Sequence, residues 1–117
     1  MRQIQLPNGE FYKIKRDRYQ KSRGTPKILK ICCSSCGELV LIYQKDGPGP
    51  LLRCYLDRIA WPTLYSALYC GHPSVKNIPN IACALCEATI ATPVIYEKEN
   101  RLAYHMIPVS FQKKLYK

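Results

Sequence analysis

Apolar residues along this chain come in short runs separated by turn-forming clusters, a pattern that predicts strands more often than helices. "RQIQL" (2–6) and "EFYKIKR" (10–16) flank Pro7-Asn8-Gly9. Asn-Gly between two such runs is a strong hairpin signal. "LVLIY" (39–43) is rich in branched and aromatic residues and reads as a strand. Asp46-Gly47-Pro48-Gly49-Pro50 then stops any regular element. The next run, "LLRCYLD" (51–57), is ambiguous. Leu51, Leu52, Tyr55, Leu56 and Ile59 share a helical face, whereas a strand would turn Leu52, Cys54 and Leu56 inward and Arg53, Tyr55 and Asp57 outward. The turn before it favours the strand. "ATIATPVIY" (88–96), "EKEN" and "RLAYHMI" (101–107) predict a further strand, turn and strand. The best helix candidate is "PTLYSAL" (62–68), with Pro62 in its first turn. The fold class is therefore mostly β.

These runs repeat. "ICCSSCGELV" begins at Ile31 and "IACALCEATI" at Ile81, so Cys33 falls on Cys83, Cys36 on Cys86 and Val40 on Ile90. Each half reads as a C-x-x-C turn, a strand, a turn and a second strand. The halves are expected to be related by an approximate two-fold, with the Pro7-Asn8-Gly9 hairpin adding to the same sheet.

A C-x-x-C turn places two thiolates close enough to share one ion, and two such turns complete the tetrahedral shell of zinc. The spacing predicts one structural zinc held by Cys33, Cys36, Cys83 and Cys86, with no open position for catalysis. Iron would also be accepted by four thiolates. A redox pair would need its C-x-x-C at a helix N-terminus in a βαβ setting, which neither turn has. Seven cysteines is an odd count, against a purely disulfide framework. Cys32 competes with Cys33 as a ligand, but the repeat and the Cys36-Gly37 ending favour Cys33. Cys54 reads as an inward strand residue, Cys70-Gly71-His72 as a loop and His105 as an ordinary strand residue. No nucleophile–base pair, phosphate loop or paired carboxylate stands out, so an enzyme of unknown class is a third reading, behind two binding functions.

At 117 residues the chain is one domain, with a core small enough to gain from a metal. Residues 1–30 form a basic N-terminal hairpin and loop, 31–107 the repeated body and 108–117 a basic tail. The formal charge is +10. The first thirty residues carry nine basic side chains against two acidic ones, and Lys113, Lys114 and Lys117 add three more. Residues 31–112 carry six of each sign and net zero. The longest stretch free of charge, Ile59 to Val75, contains Pro62, Gly71 and Pro73 and does not suit a membrane span. No apolar leader opens the chain, so a cytoplasmic, reducing setting is expected.

"CSSCGELV" and "CALCEATI" resemble the knuckles of zinc-ribbon proteins. With 46 residues between Cys36 and Cys83, the spacing is similar to that of the β-tent group, where two C-x-x-C hairpins pinch one zinc at the end of a β-fold. That group includes the yippee proteins, the cereblon thalidomide-binding domain and the B-type methionine sulfoxide reductases. The resemblance covers residues 31–107 and implies zinc ligation by Cys33, Cys36, Cys83 and Cys86. The reductases place a catalytic cysteine after their second zinc pair, and here none follows Cys86. The cereblon-type pocket uses several tryptophans, and Trp61 is the single one here.

Two functions lead. The basic segment "YKIKRDRYQKSRGTPKILK" interleaves Tyr12 and Tyr19 with Lys13, Lys15, Arg16 and Arg18, as expected for binding RNA or single-stranded DNA through phosphates and stacked bases. Alternatively, "AWPTLYSALYCGHPSV", with Trp61, Tyr65 and Tyr69, is an aromatic surface for an apolar or acidic protein partner. In that case Trp61, Leu64 and Leu68 compete for a place in the core.

Overall fold

The computed structural model describes residues 3–71 and 74–116, apart from the side chain of Cys70. His72 and Lys117 therefore lie outside the described residues, as does any role for the Cys70 thiol. Ten strands and two short helices are present among the described residues. A small hairpin, β1 (Gln3–Gln5) and β2 (Phe11–Lys13), precedes helix α1 (Arg18–Arg23). Strands β3 (Pro26–Cys33), β4 (Leu39–Asp46), β5 (Arg53–Tyr55) and β6 (Ile59–Trp61) follow, then helix α2 (Thr63–Ser66). The chain ends with β7 (Ile81–Ala82), β8 (Thr89–Tyr96), β9 (Arg101–Met106) and β10 (Phe111–Leu115).

The strands form two four-stranded antiparallel sheets, ordered β10-β3-β4-β6 and β5-β9-β8-β7, and the separate β1-β2 pair. The main core draws on both large sheets. Leu29, Ile31, Leu41 and Tyr43 from the first pack with Ile81, Ile90, Tyr104 and Met106 from the second. A smaller core lies under the N-terminal hairpin, where Ile4, Leu6 and Ile14 meet Ile28, Ile42 and Ala60. Strand β4 is thus covered on both faces, which is why "LVLIY" is a continuous apolar run and not an alternating one. Directly after that run, Gln44 is fully buried and makes four bonds. Its Nε2 donates to the Lys15 carbonyl and Asp46 Oδ1, and its Oε1 accepts from the Lys15 amide and Tyr12 hydroxyl, all at 2.8 Å. No polar atom of that side chain is left unpaired.

Several expectations need correction. The N-terminal hairpin forms around Pro7-Asn8-Gly9 but does not extend a large sheet. It lies as a lid because its apolar residues are needed over Ile28 and Ile42. The run after the Gly-Pro turn is neither one strand nor one helix. Residues 53–55 form β5, Leu56–Arg58 make a single 3-10 turn, and β6 follows. The parallel between the halves stops there, because β8 and β9 form a hairpin whereas β5 crosses to pair with β9 and only β6 returns to β4. The segment after β2 is not all loop. Asp17 caps α1, its Oδ1 accepting from the amides of Tyr19 and Gln20 at 3.1 Å. The basic tail is a strand, with Lys113 and Lys114 opposite Ile31 and Lys30 of β3.

Candidate metal centre

Each C-x-x-C turn closes the end of a hairpin, β3–β4 in one sheet and β7–β8 in the other. The two turns are built alike. In the first, the Cys33 carbonyl accepts from the Gly37 amide at 2.8 Å and the Cys33 amide donates to the Glu38 carbonyl at 2.8 Å. In the second, Cys83 makes the same two bonds with Glu87 and Ala88, both at 2.9 Å. The fifth residue has left-handed backbone in both, at φ +81° for Gly37 and +66° for Glu87. Glycine meets that demand freely; glutamate meets it at a cost. A fifty-residue offset in sequence therefore becomes a local match in backbone.

The four Sγ atoms converge, all within 4.8 Å of one another. Cys33 and Cys86 approach to 3.6 Å, and Cys36 and Cys83 to 3.5 Å, so each close contact joins the two sheets. Four sulfurs placed about 2.3 Å from one tetrahedral ion would stand about 3.8 Å apart, so the cluster is close to the size of a zinc–thiolate shell. The first cysteine of each pair, Cys33 and Cys83, is buried in the core, and the second, Cys36 and Cys86, is exposed. The group thus has one side in the hydrophobic interior and one facing solvent.

The electrostatics of the thiols alone suit a cation. The amides of Cys36 and Ser35 point at Cys33 and lower its thiol pKa to about 7. The Glu38 amide lowers Cys36 in the same way, but partial desolvation and the neighbouring sulfurs of Cys83, Cys86 and Cys33 outweigh it and push Cys36 up to about 12. Without a cation, four adjacent thiols cannot all ionise; a bound dication removes that conflict. The residues present therefore fit a metal ion.

The other cysteines are elsewhere. Cys54 is fully buried on β5, and burial raises its thiol pKa. Cys32 is half-buried on β3. His105 is exposed on β9.

Lys13, Lys15, Arg16 and Arg18 are all exposed. Tyr12 is half-buried with its hydroxyl on Gln44. The Tyr19 ring carries the Arg101 guanidinium at 4.0 Å and that of Arg18 at 4.9 Å. Of the aromatic segment, Tyr65 is buried, Trp61 is half-buried, and Leu64 and Tyr69 are exposed.

A charged core was not foreseen. Arg58, in the 3-10 turn where the chain passes from β5 back to β6, is fully buried. It reaches Asp17 at 2.6 Å and Asp46 and Asp57 at 3.0 Å each. Asp57 also pairs with Arg101 at 2.9 Å, and Glu99 bridges Arg101 and Arg23 at 3.2 and 2.6 Å. Three arginines thus engage four carboxylates contributed by α1's cap, β4, the β5–β6 connection and the β8–β9 turn. All six contacts of this network are made by these three arginines, and no lysine takes part in it.

No family model, curated protein or solved structure matches this chain.

Proposed function

We propose that one zinc ion clasps the two sheets in a β-tent-like arrangement, and that the chain is a small cytoplasmic module for single-stranded nucleic acid. The observation that carries this reading is the Cys33, Cys36, Cys83 and Cys86 cluster, two thiols from each sheet within 4.8 Å. An ion there would replace a large core as the device that fixes one sheet on the other. Four thiolates leave no open coordination position, so the metal is structural and the work of the protein is binding.

The distribution of charge supports the choice of ligand. Asp46, Asp57 and Glu99, half of the six acids of the body, are held by Arg58, Arg101 and Arg23, and no lysine shares in these pairs. The two basic ends also meet: the Tyr116 hydroxyl donates to the Gln5 carbonyl at 2.7 Å, and its amide to the Ile28 carbonyl at 2.9 Å. A protein adaptor is the second reading. Phe11 and Tyr69, 60% and 48% exposed, flank one shallow cleft, and Leu64 nearby is 67% exposed.

Titration of a fluorescent single-stranded RNA at several salt concentrations tests the choice. Phosphate binding predicts an affinity that falls steeply with salt. An adaptor predicts no RNA binding at micromolar concentration.

A further inference from the structure

The basic surface is not uniform. One cleft of about 430 Å³ includes Arg53 and Lys45, and a second of about 310 Å³ includes Lys45, Lys27, Lys113 and Lys114. They share Lys45 and Pro48. A third, of about 360 Å³, includes Arg16 and shares Lys27 and Leu115 with the second. The first two adjoin as one groove that runs from β5, over β4 and β3, to β10; the third lies against Ile14, Ile28 and Tyr116 on the other face of β3.

The groove concentrates like charge. Lys27 and Lys45 are directly opposed on β3 and β4, a pairing that is unfavourable unless something neutralises it. Lys113 comes in from β10 on the other side of β3. Burial lowers the Lys45 pKa, and the charges of Lys113 and then Lys27 lower it further, so the three ammonium groups feel one another. The single carboxylate lining the groove, Asp46, is already held by Arg58 at 3.0 Å. The surrounding backbone is also fitted. Gly47 has φ +79°, and a Cβ there would collide with the Arg23 carbonyl, so the turn that walls the groove is pressed against α1.

We propose that this groove, with Lys27, Lys45 and Lys113 at its centre, is the track for the phosphate backbone of a single-stranded nucleic acid. The proposal rests on the nucleic-acid reading above and assigns its location. A single strand is flexible enough to lay its phosphates along a cleft, whereas a duplex is too stiff to bend into one. The tyrosines lining it, Tyr43 and Tyr55, are buried, so bases find little to stack on and contacts fall on phosphates. Sequence preference is therefore small.

The test uses the full metal-loaded chain and a twenty-nucleotide single-stranded RNA of mixed sequence. The groove variant is Lys27→Gln/Lys45→Gln/Lys113→Gln, and its equal-charge control is Lys21→Gln/Lys76→Gln/Lys98→Gln. Each phosphate contact on a single strand contributes about 0.7 to the salt slope, so losing three lowers the slope by about 2 and the affinity about 100-fold at 0.1 M salt. The control should lose much less. If the control loses as much as the groove variant, binding follows net charge and the groove assignment is wrong, while the nucleic-acid reading stands. If the wild-type chain does not bind RNA at all, both fail. A second measurement needs no variant: acetylation of the wild-type lysines, read by mass spectrometry with and without RNA. Protection of Lys27, Lys45 and Lys113 supports the track; unchanged labelling there with RNA bound overturns it.

Discussion

Replacing Arg58 by Met should be among the most damaging changes away from the cysteines. The side chain is 1% exposed and holds Asp46, itself 4% exposed, Asp57, 14% exposed, and Asp17, 41% exposed. Met fills much of the volume but leaves those carboxylates without their cation. Breaking a buried ion pair from one side costs about 3–5 kcal/mol, because the stranded charge stays desolvated. A chain of 117 residues has about 6–18 kcal/mol of stability to lose. The expected fall in melting temperature is about 10–20 °C. Arg58→Lys should fall between the two, since an ammonium cannot match three carboxylates as a planar fork does. The pH dependence adds a sign. Burial alone would raise the Asp17 pKa, but the bond from Arg58 and the Gln20 and Tyr19 amides lower it from 3.8 to about 2. Its contribution is complete above about 4 and disappears as pH falls towards 2. The stability gap between wild type and Arg58→Met should therefore narrow over that range. Urea unfolding of both proteins, at neutral pH and then down the acid side, measures both effects. A loss below about 1 kcal/mol at neutral pH would refute the view that the network is a buried, charge-dependent core.

Other outcomes follow from the same contacts. Gln44→Leu leaves the Lys15 amide and carbonyl and the Tyr12 hydroxyl without their partner, and should cost about 3 kcal/mol by denaturant unfolding. Gly47→Ala combines a left-handed backbone with a collision at Arg23 and should cost about 2 kcal/mol or more, seen as a lower melting temperature. Cys54→Ser buries a hydroxyl in an apolar site and should cost about 1–3 kcal/mol while metal content stays unchanged.

The parts of this fold legible in the sequence are those specified by neighbours. Pro7-Asn8-Gly9 announces its hairpin because turn chemistry is local, and the two C-x-x-C turns announce themselves by a fixed offset. Helix α1 was also there to be read: Asp17 followed by Gln20 is a capping signal and Gly24 a stop, though six residues give little periodicity. Strand β10 was hidden by its lysines, which suit a strand only because one face of that sheet is open at the groove. The Arg58 network could not be seen at all. Its partners lie 41 and 12 residues away as well as next door, and no pattern of charge along the chain marks which acids will meet it. The crossing of β5 to the second sheet is equally non-local, since three residues can pair with either neighbour until the core selects one.

Metal content tests the central claim most directly. The protein, purified without chelators, should contain one zinc per chain by elemental analysis. Cys33→Ser, Cys36→Ser, Cys83→Ser and Cys86→Ser should each lose it together with much of the cooperative unfolding transition. A chain without stoichiometric metal, or one that keeps its ion when both Cys33 and Cys83 are replaced, would contradict the clasp.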